Sequence, residues 1–217
     1  MGALILGCGT AVTSGDWRKL ASASGSGAHE IPATPSKNDV DPLLKADEVD
    51  RVVVHGTDAD LAAVVLRLMR TERLEDVTVG FVPVDRKLSH VAQLWDLPVD
   101  SVDLALTGSD RALPLVRDDN GGVLLGLGVV APATGTVYCD DVVALRGDAS
   151  RIEVRPGPAG VSVKVVRGRL RRPATFDGRA VQFGVDGTRP VRDGVEYPRA
   201  VTRWTWYRHT EDLRAIC

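Results

Sequence analysis

Aromatic side chains are scarce in this 217-residue chain: four Trp, three Tyr and three Phe. A core of useful size must therefore be built from Val, Leu and Ala. Cysteine is scarcer still. Cys8, Cys139 and Cys217 are far apart and form no C-x-x-C, which argues against a disulfide framework and a thiolate zinc site. The four histidines, His29, His55, His90 and His209, show no metal-ligand spacing of the H-E-x-x-H kind. No apolar run approaches the ~18–20 residues of a membrane-spanning helix; Gly121–Ala133 comes nearest and is broken by glycine. The start, MGALILGCG, has neither a basic flank nor a cleavage-like site. These absences read as a soluble cytoplasmic protein.

Charge is unevenly placed. The net value is −2, yet residues 1–145 carry 12 Lys/Arg against 21 Asp/Glu, and residues 146–217 carry 15 against 8. Fourteen of those 15 cations are Arg, four of them in Arg167–Arg172. Such a run suits anionic lipid or nucleic acid, and equally a solvated linker. The acidic front half argues against a general nucleic-acid binder. Trp204 and Trp206 share one face of a strand, where an aromatic-poor domain would place its core.

Strand and helix patterns divide the chain. Ala3–Leu6 is a short apolar run ending at Gly7, a buried strand. Gly7-Cys8-Gly9 begins like a dinucleotide fingerprint, but Val12 stands where the third glycine belongs. Ala21–Ala28, small and polar, reads as a mobile loop, and Asp41-Pro42 as the opening of a short helix. Arg51–His55 is a β-branched run stopped by Gly56. Leu61, Val64, Val65, Leu68 and Met69 then form one helical stripe. Val77–Val82 is the next strand, closed by Pro83, and 88–95 the next helix. This is a βαβ unit, hence a parallel α/β front part. Beyond about residue 102 the pattern turns to short strands: Val102–Leu106, Gly122–Val130, Thr136–Tyr138, Arg151–Arg155, Val161–Val166, Gly178–Phe183 and Ala200–Tyr207. Turn signals at Asn120-Gly121, Pro156-Gly157-Pro158, Asp177-Gly178 and Asp193-Gly194 separate them. The expected organisation is a small α/β domain over 1–102 and an antiparallel β domain over 103–217.

Val52–Asp60, VVVHGTDAD, carries most of the chemistry. A strand ending in glycine and turning into a helix presents backbone amides where phosphate binds, and Asp58 stands where it would hold magnesium. The plain alternative is a turn in which Thr57 or Asp58 caps the helix. Arg86-Lys87 offers two cations to an anionic ligand, or to Asp85 and Asp96. His55 and His90 lie near by motif position, without a Ser-His-Asp pattern that sequence alone can define.

Taken together, these segments resemble the diacylglycerol kinase catalytic superfamily of lipid kinases, relatives of NAD kinase. Gly56-Thr57-Asp58-Ala59-Asp60 stands for GGDGT, and Gly80-Phe81-Val82-Pro83 for the "LGIIP" strand. Leu97-Pro98 stands for "LGLP" and Asp193-Gly194-Val195 for the late "DGE" turn. The resemblance implies that Gly56 and Asp58 bind nucleotide, that Asp58 is catalytic and holds the metal, and that ATP and magnesium are the cofactors. It also implies a ligand or partner in the cleft between the domains, near Gly56–Asp60 and Asp85–Lys87, and peripheral membrane placement through the Arg-rich half. The departures are specific. Only Gly56 and Asp58 of GGDGT remain, the GTGND loop falls on Asp85–Ser89 without its glycines or closing Asp, and Val195 replaces the DGE glutamate. Phosphoryl transfer depends on positioning and charge neutralisation. With one of three acidic positions left, the expectation is a diverged relative with weak or no transfer. The alternative is an active magnesium- and ATP-dependent kinase acting on a lipid or other hydroxyl.

Overall fold

The computed structural model describes residues 2–24, 27–45, 49–168 and 171–217. In chain order the first elements are β1 Gly2–Cys8, a 3-10 turn Gly9–Thr13, α1 Gly15–Ser24, β2 Ala28–Ile31, α2 Lys37–Leu44, β3 Val49–Gly56, α3 Asp58–Arg70, β4 Thr78–Pro83, α4 His90–Leu94 and α5 Val102–Thr107. Strands follow: β5 Asp110–Asp118, β6 Val123–Leu124, β7 Gly128–Val130, β8 Ala133–Cys139, β9 Val142–Ala149, β10 Arg151–Gly157, β11 Gly160–Val166 and β12 Ala174–Gly178. The last are β13 Ala180–Thr188, β14 Val191–Arg192, β15 Val195–Glu196 and β16 Val201–Ile216. The chain divides into two compact units, Met1–Leu113 with Glu211–Cys217, and Pro114–Thr210.

In the first unit the strands run β2-β1-β3-β4, all parallel, and the end of β16 joins in parallel beside β4 through Ala215 and Val79. Val52, Val53 and Val54 are buried, because β3 is interior and both its faces are covered. Helix α3 buries Leu61, Val64, Val65 and Leu68 along one stripe, as its spacing requires. Its outer face is also used: Arg67 grips Asp41 of α2 with two parallel bonds of 2.7 and 2.8 Å. Ile5, Trp17, Leu20, Val53, Val82, Val102 and Ala105 form a second apolar group. Gly7 is required by it, since a Cβ there would lie 2.6 Å from the Trp17 ring.

Three local expectations are corrected here. Helix α1 continues through Ala21–Ser24, so the expected loop over 21–28 is helical in its first half; residues 25 and 26 lie outside the described residues. Helix α2 begins at Lys37, before Asp41-Pro42, because Ser36 and Asp39 close a capping box there and Pro42 sits inside the helix. Val102–Leu106 is α5 and not a strand. Val102 and Ala105, one turn apart, are its buried residues.

Arg214 of β16 makes a forked bridge to Asp110, with bonds of 2.9 and 3.2 Å. The guanidinium bond holds the Asp110 carboxyl below its ordinary value of 3.8. A depressed carboxylate contributes stability above its unfolded pKa and loses it as pH falls through the folded one. Arg214→Ala should therefore lower the melting temperature modestly at neutral pH, Arg214 being 40% exposed. Melting curves taken from pH 7 down to acid should show that deficit shrinking below pH 3.8. A deficit that does not depend on pH would assign the loss to packing.

The second unit is antiparallel. One sheet runs β16-β13-β8-β9, with β5 beside β16 and β6 beside β5; the other runs β12-β11-β10-β7-β14-β15. Trp204 and Trp206 both point into the core, among Val130, Val137, Ile152, Val163 and Phe183. Phe183, Trp206, Trp204 and Tyr197 meet edge to face in sequence, with ring centroids 4.9–5.6 Å apart. At the turn between β14 and β15, Asp193 (φ 46°) and Gly194 (φ 88°) are both left-handed, the geometry of a two-residue hairpin. The Asp193 carboxylate accepts the amides of Leu125, Gly126 and Leu127 at 2.7–2.9 Å. This interrupts the expected Gly122–Val130 strand and leaves it as β6 and β7.

Candidate functional site

Strands β1, β3 and β4 all end at the same edge of the parallel sheet, the edge where open α/β sheets bind ligands. Three helix starts follow from them. Ser14 precedes α1, Thr57 precedes α3 and Ser89 precedes α4, each with a side-chain oxygen accepting a bond from a backbone amide of its helix's first turn.

At α3 the loop is built by Asp60. Its carboxylate accepts the Thr57 amide at 2.8 Å and the Thr34 amide at 2.6 Å, while Thr57 Oγ1 accepts the Asp60 amide at 3.3 Å. Thr57 is thus the cap of α3. Gly56 has no room for a side chain, because a Cβ there would fall 2.7 Å from Asp60 Oδ2. The glycine of the motif is needed for this close approach.

Asp58 reaches to a different helix. Oδ1 accepts the Ser89 hydroxyl at 2.5 Å, and Oδ2 accepts the His90 and Val91 amides at 2.7 and 3.2 Å. Both oxygens therefore hold the start of α4, and the side chain is buried. A magnesium ion on Asp58 does not fit this arrangement. The cation would have to bind a buried carboxylate on which a hydroxyl and two amides already take three of the acceptor positions. Among the described residues no group of three or more His, Cys, Asp or Glu is placed to hold a metal.

In the neighbouring loop, Asp85 and Arg86 have local partners. Asp85 Oδ1 accepts the Lys87 and Leu88 amides, a turn within its own loop. Arg86 Nε donates to the Leu97 carbonyl at 2.5 Å. In the second unit several guanidinium groups are committed internally: Arg192 to Asp118 at 2.7 Å, Arg189 to Glu196 at 3.3 Å and Arg167 to the Ala144 carbonyl at 3.1 Å. Of the basic run, residues 169 and 170 lie outside the described residues, and Arg171 and Arg172 are exposed. Val195, in the DGE position, is exposed on β15, and the Asp193 beside it is buried.

Sequence spacing missed one constellation. His55, the penultimate residue of β3, is buried between Gly7 and Val82 on the neighbouring strands. Its Nε2 lies 2.7 Å from Ser14 Oγ and its Nδ1 2.8 Å from the Val82 carbonyl. Cys8, at the end of β1, is a poor nucleophile by contrast. Burial first, and the Asp60 charge second, push its thiol up, so it stays protonated.

No helix among the described residues is long and apolar enough to cross a membrane. A comparison with protein-family models finds no match. A comparison with curated proteins finds none either. Solved structures do match. A diacylglycerol kinase from Bacillus anthracis str. Sterne superposes with a TM-score of 0.67 at 11% identity, over 99% of this chain and 96% of that one. A putative diacylglycerol kinase from the same organism gives 0.68 at 12%, with the same coverage. An NAD kinase from Archaeoglobus fulgidus in complex with ATP gives 0.58 at 13%, over 100% and 94%. At such identities the likeness is one of architecture, and it agrees with the parallel and antiparallel sheets described above: the chain has the fold shared by diacylglycerol kinases and NAD kinase.

Proposed function

We propose that this chain is a diverged relative of the lipid and NAD kinases that binds a nucleotide at the edge of its parallel sheet, around Gly56–Asp58, and transfers phosphoryl groups weakly or not at all. The observation that carries the second half is the bonding of Asp58. Phosphoryl transfer needs carboxylates free to hold metal on the phosphates. The one acidic motif residue left in this chain is engaged by Ser89, His90 and Val91. The first half is supported by the fold and by the ATP bound to the NAD kinase of like architecture. Helix starts gathered at one sheet edge also favour an anion, since their partial positive charges add there.

The experiment is a thermal-shift titration with ATP, ADP and NAD, each with and without magnesium, run beside an assay of ADP release with diacylglycerol and NAD as acceptors. A ligand at a hundredfold excess over its Kd stabilises by about 2.7 kcal/mol. The expected result is a shift with ATP that does not require magnesium, and no ADP above background. Magnesium-dependent turnover that Asp58→Asn abolishes would favour the active kinase instead. The absence of a shift with every nucleotide would retire the nucleotide site.

A further inference from the structure

We propose that Ser14 and His55 form a nucleophile–base pair able to accept the acyl group of a carboxylic ester. The hydrogen bonds fix the proton positions. His55 Nδ1 faces a carbonyl oxygen, which only accepts, so Nδ1 carries the proton. Nε2 then holds the lone pair, and the Ser14 hydroxyl 2.7 Å away donates to it. This is the relation of general base to nucleophile. The Val82 carbonyl orients the ring and selects the tautomer, as the carboxylate does in a triad. The imidazole is buried, whereas Ser14 is partly exposed, so the base is held rigidly and the hydroxyl is open to approach.

The backbone around Ser14 suits the same chemistry. Ser14 directly precedes α1, and the amides of Gly15 and Asp16 head that ten-residue helix. The amide that follows a nucleophile at a turn into a helix is the usual first donor of an oxyanion hole. Gly15 leaves the approach clear, since a Cβ at that position would meet nothing within 4 Å. The Trp17 amide, donating to Ser14 Oγ at 3.0 Å, stabilises negative charge on that oxygen.

The reaction balances as ester plus water giving acid plus alcohol. Ser14 Oγ bonds to the ester carbonyl carbon and its proton passes to His55 Nε2. Collapse breaks the ester C–O bond, and the leaving alcohol takes the proton from Nε2. Water then adds to the acyl-serine with its proton going to Nε2, and that proton returns to Oγ as the carboxylic acid leaves. With a carbonyl in place of a buried carboxylate, the imidazolium is less stabilised than in a full triad, so turnover should be slow. The proposal rests on the dyad alone and not on nucleotide binding.

The test is labelling of the full chain by a fluorophosphonate probe with peptide mapping, beside acetate release from p-nitrophenyl acetate. An adduct on Ser14 is expected. A positioned general base contributes ~10²–10⁴-fold, so His55→Gln should slow labelling at least a hundredfold. Ser14→Thr keeps the helix-cap oxygen and should preserve the melting curve while lowering the labelling rate. No adduct on Ser14 in the unmodified chain overturns the proposal, and so do equal rates in the chain and its Ser14→Thr variant.

Discussion

Asp193→Ala should destabilise the protein by about 4–6 kcal/mol, seen as a lower midpoint in urea unfolding followed by tryptophan fluorescence. The carboxylate is buried and is the acceptor for three successive amides, those of Leu125, Gly126 and Leu127. Alanine leaves them without it, and a buried donor stripped of its partner costs ~1–3 kcal/mol. Asp193 also has φ 46°, a conformation that Asp and Asn tolerate and alanine resists. The two effects act on the same turn and add. Asp193→Asn keeps one acceptor oxygen and the left-handed tolerance, so it should cost less than half as much. If both variants unfold at the parent midpoint, the turn over 125–127 is held by its own backbone instead.

The contrast between this turn and the hairpin beside it shows how far the sequence could be read. Asp193-Gly194 announces a two-residue hairpin, because both positions take positive φ and this dipeptide permits it. What the Asp193 side chain does is invisible locally, since its acceptors' partners lie 66–68 residues away. The same division runs through the first unit. Val52–Val54 and the stripe from Leu61 to Leu68 are legible because burial on both faces, or along one, imposes a regular pattern. Val102-Asp103-Leu104-Ala105-Leu106 satisfies two periods at once. Only the burial of Val102 and Ala105, one turn apart, selects the helix. At α2 the better signal is not the proline but the Ser36–Asp39 capping box, which opens six residues before Pro42. Ala21–Ser24 is polar in composition yet helical, carried by the preceding turns of α1 in which Trp17 and Leu20 are buried.

The site divides in the same way. The glycine and Asp58 stand at the start of α3, where a βαβ unit puts its ligand edge, so their place in the fold was readable from VVVHGTDAD alone. The partners were not. Asp58 meets Ser89 across 31 residues, and His55 meets Ser14 across 41. A weak signal for the second pair does exist, a serine-glycine at a helix start and a histidine-glycine closing a buried strand. Neither dipeptide means anything until the parallel order β1-β3-β4 brings the strand ends side by side.

The position of Asp58 makes its substitution the sharpest discriminator between a structural and a metal-binding carboxylate. Asp58→Ala should lower stability by about 3–4 kcal/mol, because it strips an acceptor from a hydroxyl and two amides at the buried start of α4, each bond to a charged acceptor contributing ~1.5–3 kcal/mol before relaxation. The loss should be local as well as global. Val91 and Ala92 are buried through α4, so hydrogen exchange over 89–94 should accelerate more than exchange over α3 itself. Asp58→Asn retains one carbonyl oxygen and can satisfy either the hydroxyl or the amides, not both sets, so it should fall between the parent and alanine. A metal ligand predicts the reverse order of consequences. Removing a carboxylate that repels its neighbours in the absence of a cation leaves stability unchanged or raised and abolishes only magnesium-dependent behaviour. Unfolding midpoints of the three proteins with and without magnesium decide it: a graded loss that ignores the ion assigns Asp58 to the architecture of α4, and a loss confined to magnesium-containing samples returns it to phosphoryl transfer.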